Sequence, residues 1–205
     1  MNSLQEEFGN IDIYLFDQLL KHRFAEGSSV LDAGCGNGRN IAYLLRRGYK
    51  VYGIDHSHEA IEHVRSMAAT LAPHLPAENF RVGSIESLPF PDNSLDIVMS
   101  IAVLHFAEDE PHFFAMFVEM WRVLKPDGIF FCRLASDIGL ENRLEHIHGR
   151  RYKLPDGTER FLVDEEMLLS IAEKFKGILL EPIKTVNVQN LRCMTTVCMQ
   201  KRPQQ

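Results

Sequence analysis

Apolar residues in this chain follow two rhythms that alternate. Short unbroken runs read as buried strands: Ser29 to Ala33, Val51 to Asp55, Phe80 to Val82, Ser94 to Ser100 and Ile129 to Leu134. Between them lie segments with helical spacing. Asp12 to Phe24 reads as an amphipathic helix. Ile41, Leu44 and Leu45 mark a second, closed by Arg46, Arg47 and Gly48 through dipole and cap. Ser57 can cap a third, with Glu59 in its first turn. Its stripe is Ile61, Val64, Met67, Ala68 and Leu71, and Pro73 ends it. Pro111 suits the first turn of a fourth, whose stripe Phe113, Phe114, Phe117, Met120, Trp121 and Leu124 reads as core packing. Asp164 caps a fifth, carrying Met167, Leu168, Ile171, Ala172 and Phe175 and stopped by Gly177.

This alternation predicts βαβ units and a mainly parallel sheet, because parallel neighbours need long crossovers. The last strands depart from it. Ile178 to Val188 and Leu191 to Met199 read as two strands joined tightly near Gln189-Asn190, hence antiparallel neighbours. Lys125-Pro126-Asp127-Gly128 reads as a turn, and residues 136–163 show little regular pattern.

Composition narrows the class. The 205 residues are 45% hydrophobic and suit one α/β domain with a sizeable core. The net charge of -6, with no long basic run, disfavours a broad nucleic-acid-binding face or an anionic membrane surface as partner. Cys35, Cys132, Cys193 and Cys198 contain no C-x-x-C pair, so neither a zinc knuckle nor a thioredoxin-type pair is signalled. Cys132 and Cys198 lie in apolar runs and read as buried free thiols. Met1 to Glu7 is acidic and polar, unlike a signal peptide, and no apolar run approaches the ~20 residues that span a bilayer. A cytoplasmic location is the expectation.

The most informative chemistry is the run Asp32-Ala33-Gly34-Cys35-Gly36-Asn37-Gly38, between a strand and a helix. Glycines there let backbone approach a ligand, and free N–H groups at the helix start favour negative charge. A dinucleotide fingerprint begun at Gly34 would need a further glycine where Arg39 stands, which disfavours a nicotinamide enzyme. Asp32 suits a cationic ammonium or sulfonium better than a phosphate. Asp55, at a strand's carboxyl end, can accept both ribose hydroxyl protons.

From about residue 29 to 134 the chain resembles the class I S-adenosylmethionine-dependent methyltransferases, particularly their small-molecule branch. Val30 to Asn40 is similar to the first motif of the tellurite-resistance and thiopurine-methylating types. Val51 to Asp55 resembles the second motif, Gly83 to Phe90 the third, and Leu95 to His105 the fourth. Val123 to Ile129 resembles the turn before the fifth strand. The resemblance implies a Rossmann-like seven-stranded mixed sheet, parallel except for one antiparallel strand near the C-terminus, with helices on both faces. It implies S-adenosyl-L-methionine as cofactor, held by Asp32, Gly34, Cys35, Gly36, Gly38 and Arg39, with Asp55 on the ribose and His56 beside the adenine. An acid followed by an apolar residue commonly holds the adenine edge in this family. Here Ser84 stands at the acid's position, a weaker acceptor, and Ile85 keeps the apolar contact. Ser100 and Ile101 would lie beneath the methionine part, and His105 near the methyl-transfer centre.

Methyl transfer needs alignment and exclusion of water, and a base only where the acceptor is protonated. His105 is the residue singled out as base or orienting group. The expected organisation is one domain over 1–205: an N-terminal helical lid (1–28), a cofactor-binding core (29–134), a substrate-lid insertion (135–163), and a last helix with an antiparallel strand pair (164–205). Tyr14, His146, Arg150, Arg151 and Tyr152 are the expected substrate contacts. The arginines can hold a carboxylate or phosphate bidentately. His146 and His148 lack a third ligand at local spacing, so no metal is expected. The reading is methyl transfer to a small-molecule acceptor. A tRNA or protein methyltransferase, or a non-catalytic S-adenosylmethionine-binding regulator, stands as the alternative. The oligomeric state is unreadable from the sequence.

Overall fold

In the computed structural model, which describes residues 4–203, the centre of the sheet is β1 (Ser29–Ala33), buried along its whole length. Of the polar opening stretch, Met1, Asn2 and Ser3 lie outside the described residues. β1 pairs in parallel with β2 (Lys50–Asp55) on one side and β4 (Leu95–Ile101) on the other. β3 (Phe80–Val82) lies outside β2, and β5 (Leu124–Ser136) outside β4, both parallel. β11 (Arg192–Lys201) then runs antiparallel to β5. β9 (Gly177–Leu179) and β10 (Lys184–Val188) both pair antiparallel with β11, so they are parallel to the rest. The order β3-β2-β1-β4-β5-β11-β10 has seven positions and one antiparallel strand, as expected.

The expected strand from Ile178 to Val188 is thus two. β9 pairs with residues 199–201 of β11 and β10 with residues 192–196, so they lie end to end along its edge. Pro182 sits between them, where a missing N–H cannot extend the ladder.

Alternate residues of each strand serve opposite faces. Leu31, Val98 and Phe130 pack on one side with α5 (Glu110–Val123) and α6 (Glu165–Lys174). Val30, Ile97 and Phe131 pack on the other with α2 (Ile13–Leu20), α3 (Ala42–Arg46) and α4 (His58–Leu71). Caps set four helix starts: Asp12, Ser57, Asp109 and Asp164 each accept a backbone N–H from the first turn. α2 stops before Lys21, short of Phe24, and His22 takes a positive φ of 53°. Leu124 belongs to β5 rather than to the helical stripe, and the Lys125–Gly128 turn is a bulge inside that strand. A short α1 (Leu4–Phe8), unforeseen in the sequence, stacks Phe8 on Tyr43.

Residues 136–163 are more regular than their sequence suggests. β6 (Glu145–His148), β7 (Arg151–Lys153) and β8 (Glu159–Phe161) form a separate antiparallel sheet. Phe161 stacks on Phe113 of α5 with ring centroids 5.1 Å apart, which seats this sheet on the main core.

Candidate functional site

A cavity of about 650 Å³ opens at the carboxyl ends of β1, β2, β3 and β4. Its first wall is the glycine turn. Gly34 and Cys35 both donate backbone N–H groups to the Ile54 carbonyl, at 2.8 and 3.0 Å. Gly34 has φ of +83°, and a Cβ there would stand 2.4 Å from Val103 Cγ2. Gly38 is also forced, since its Cβ would meet Met67 Cε at 2.4 Å, but it faces α4 and not the cavity.

Asp55 joins the walls. Its Oδ2 accepts the Gly36 N–H at 2.8 Å, and its Oδ1 accepts the Ser57 N–H at 2.9 Å. The carboxylate lines the cavity, where lone pairs not taken by backbone can receive two hydroxyl groups. His56 beside it is almost fully exposed, with Nδ1 3.5 Å from Asp55 Oδ1. Beyond Asp55 come Ser84 and Ile85, and beneath them Ile101. Ser84 Oγ accepts the Glu86 N–H at 3.3 Å.

Two expected cofactor residues lie below the lining. The Asp32 carboxyl is fully buried and neither oxygen has a hydrogen-bond partner. Burial pushes its pKa up to about 7, Arg39 opposes and Asp55 adds. The Ser100 hydroxyl is equally buried and unpartnered. Arg39 itself lines the cavity and makes no hydrogen bond or ion pair among the described residues. Cys35 lines it too, and burial raises its thiol pKa above the ordinary value, which disfavours the thiolate. The helix expected directly after the glycine turn starts later: α3 begins only at Ala42, after Ile41 with no side-chain cap, so turn backbone and not helix N–H groups faces the cavity.

His105 does not line the cavity. Its side chain is buried, Nδ1 accepts the Ala135 N–H at 3.2 Å, and burial pulls its pKa down to about 4. The imidazole is therefore neutral and structural in its contacts.

The expected substrate contacts divide. Tyr14 lies outside the cavity with its ring 5.3 Å from the Arg133 guanidinium, which pairs with Asp12. His146 stacks edge-on to Tyr152 and reaches the Gly149 carbonyl, away from the cavity. Arg150 pairs with Asp164 at 2.8 Å. Arg151 lines a second cavity of about 700 Å³, shared with Arg160 and His148. There its Nη1 donates to the Ala107 carbonyl at 2.9 Å. Phe106 lines both cavities and is 57% exposed, so it divides them. Among the described residues no three His, Cys, Asp or Glu side chains gather to hold a metal. No helix among them is long and apolar enough to cross a membrane.

Sequence reasoning missed Asn40, Glu86, Ala102, Phe106, His112 and Met116, all on the cavity wall. Asn40 had a signal in its place just after the glycine turn: its Oδ1 accepts the Asp12 N–H and docks the N-terminal segment there. Glu86 and Ala102 stand inside the third and fourth motif segments, next to Ile85 and Ile101, whereas Phe106, His112 and Met116 are joined to them only by the fold.

Comparison with known proteins bears on the family and the fold. Residues 31–132 match the family profile described as a methyltransferase domain. A probable S-adenosylmethionine-dependent methyltransferase of Mycolicibacterium smegmatis is 32% identical over 146 residues, 69% of this chain and 52% of the relative. A fatty-acid O-methyltransferase of the same organism is 30% identical over 130 residues, 62% of this chain and 44% of the relative. The chain thus spans about half the length of the curated relatives it matches. The crystal structure of a methyltransferase from Methanosarcina mazei superposes with a TM-score of 0.74 at 22% identity, covering 91% of this chain and 98% of that one. Residues 31–132 of this chain form a methyltransferase domain of the class I S-adenosylmethionine-dependent family. The finer likeness to the tellurite-resistance and thiopurine types rests on the first motif alone.

Proposed function

We propose that this chain transfers a methyl group from S-adenosylmethionine to a small-molecule acceptor by in-line displacement. The carrying observation is Asp55, lining the cavity while its carboxylate grips the glycine turn through Gly36. That couples a ribose acceptor to a bare backbone wall. The unpartnered oxygens of Asp32 and Ser100 beneath the turn fit a ligand with an ammonium group. The cofactor, when bound, supplies an electrophilic methyl on sulfur.

The protein's own residues then bind and orient. Gly34, Gly36 and Arg39 face the methionine part, Asp55 the ribose, and His56, Ser84 and Ile85 the adenine. Gly38 shapes the turn from behind. Ile101 forms the floor, and Phe106 stands where an acceptor would enter from the second cavity. We read the sheet β6-β7-β8 as the acceptor lid, with Arg151 its contact to the second cavity. His105 holds β5 through Ala135 and takes no proton in this scheme. Apolar carboxylic acids are the first acceptors to try, since one relative is a fatty-acid O-methyltransferase.

Two measurements test the reading. Titration calorimetry on cofactor-stripped protein should show stoichiometric binding of S-adenosylhomocysteine, and its absence would sink the proposal. Incubation with S-adenosylmethionine and a panel of small acids, amines and thiols should yield S-adenosylhomocysteine with at least one acceptor. Tight binding with turnover on none would favour a cofactor-binding regulator.

A further inference from the structure

One wall of the cavity is closed by a pair of side chains from distant segments, Glu86 and His112. The sheet order β1-β2-β3 sets the glycine turn, Asp55 and residues 83–86 in succession along the carboxyl edge. A nucleoside with its ribose on Asp55 and its amino-acid tail on the turn therefore directs its base at the 83–86 loop. The Ser84 hydroxyl is already engaged there, accepting the Glu86 N–H.

The Glu86 carboxylate is held differently. Its Oε1 lies 2.5 Å from His112 Nε2 at the start of α5. His112 Nδ1 accepts the Glu108 N–H at 3.2 Å, so the ring proton of a neutral imidazole sits on Nε2 and points at Glu86. The Asp109 cap on the His112 N–H fixes the backbone that carries the ring. Glu86 Oε2 has no hydrogen-bond partner among the described residues. The wall is also braced behind the pair. Arg122 of α5 donates to the carbonyls of Leu88 and Phe90, and Glu119 accepts the Leu88 N–H.

We propose that Glu86, positioned by His112, is the acceptor for the exocyclic amino group of adenine, a role for which the Ser84 hydroxyl is the weaker acceptor. A carboxylate carries acceptors only, and an adenine amino group is a donor, so the pairing is complementary and charge-assisted. The same carboxylate repels a base with an oxygen at that position. The inference rests on S-adenosylmethionine being the cofactor.

The test compares two ligands by calorimetry on the whole chain: S-adenosylhomocysteine, and its analogue with unsubstituted purine in place of adenine. Wild type should bind S-adenosylhomocysteine at least about tenfold more tightly, the low end for a hydrogen bond to a charged group. Glu86→Leu should bind both alike, within about twofold, and match wild type on the purine analogue. That retained affinity also shows that the variant is folded. Glu86→Gln, which keeps one neutral acceptor, should restore part of the discrimination. His112→Phe should lose most of it, because the carboxylate is no longer aimed. Equal binding of both ligands by wild type overturns the assignment, as does full discrimination in Glu86→Leu. Failure of wild type to bind either ligand instead overturns the cofactor reading, and this assignment with it.

Discussion

Asp55 Oδ2 accepts the Gly36 N–H at 2.8 Å, so one carboxylate ties the end of β2 to the turn that follows β1. Removing it should loosen the turn and strip the ribose of its acceptor together. Asp55→Ala is expected to weaken S-adenosylhomocysteine binding at least about tenfold, given roughly 1.5–3 kcal/mol per hydrogen bond to a charged group. Calorimetry reads this directly, and an unchanged affinity would remove Asp55 from the site.

Gly34 has no room for a side chain. Gly34→Ala would drive a Cβ to 2.4 Å from Val103 Cγ2 and hold it at φ of +83°. The left-handed backbone costs about 1–2 kcal/mol and overpacking about 1–3 kcal/mol. The substitution is expected to destabilise the chain by roughly 2–5 kcal/mol, read from urea unfolding. Adding Val103→Ala should return only the steric part. A double variant no more stable than Gly34→Ala would show that Val103 is not the obstacle.

Two buried groups should give stability opposite slopes with pH. Asp32 titrates at about 7 in the folded chain and near 4 when unfolded. Between those values the folded state holds a proton that the unfolded state has released, so its contribution falls as pH rises. His105 titrates at about 4 folded and about 6.5 unfolded, so its contribution falls as pH drops through that window. Urea midpoints at pH 5 and pH 7 separate them. Asp32→Asn should leave the histidine slope and lose stability on acidification relative to wild type. His105→Asn, whose carbonyl can still accept the Ala135 N–H, should gain relative stability on acidification. Parallel profiles in all three proteins would refute the assignment of these slopes.

The central strands and the glycine turn are legible in sequence because burial on both faces leaves unbroken apolar runs between turn signals. β6 is not, because every one of its residues is exposed and no periodicity is imposed on it. The break between β9 and β10 has its sign in Pro182, inside what otherwise reads as one strand. A histidine just past a strand, such as His105, carries no mark of which way it turns. Its burial follows from the Ala135 N–H across the sheet, 30 positions on. The partnership of Glu86 and His112 spans 26 positions, and neither residue stands in a local pattern with the other. Helix caps were more readable, since Ser57 and Asp164 act on N–H groups only three residues away.

The place of β11 bears on how the chain reaches this fold. It follows every other described strand in sequence, yet it lies inside the sheet, pairing with β5 over residues 193–200 and with β9 and β10 on its other edge. During synthesis from the N-terminus, β5 can form its ladder with β4 while the backbone N–H and C=O groups of its outer edge still lack a neighbour. The Lys201 ammonium then closes the arrangement from within, donating to the Trp121 and Leu124 carbonyls where α5 passes into β5. Sheet completion therefore waits on a long-range pairing, and a stalled or shortened chain would present an unpaired strand edge to its neighbours.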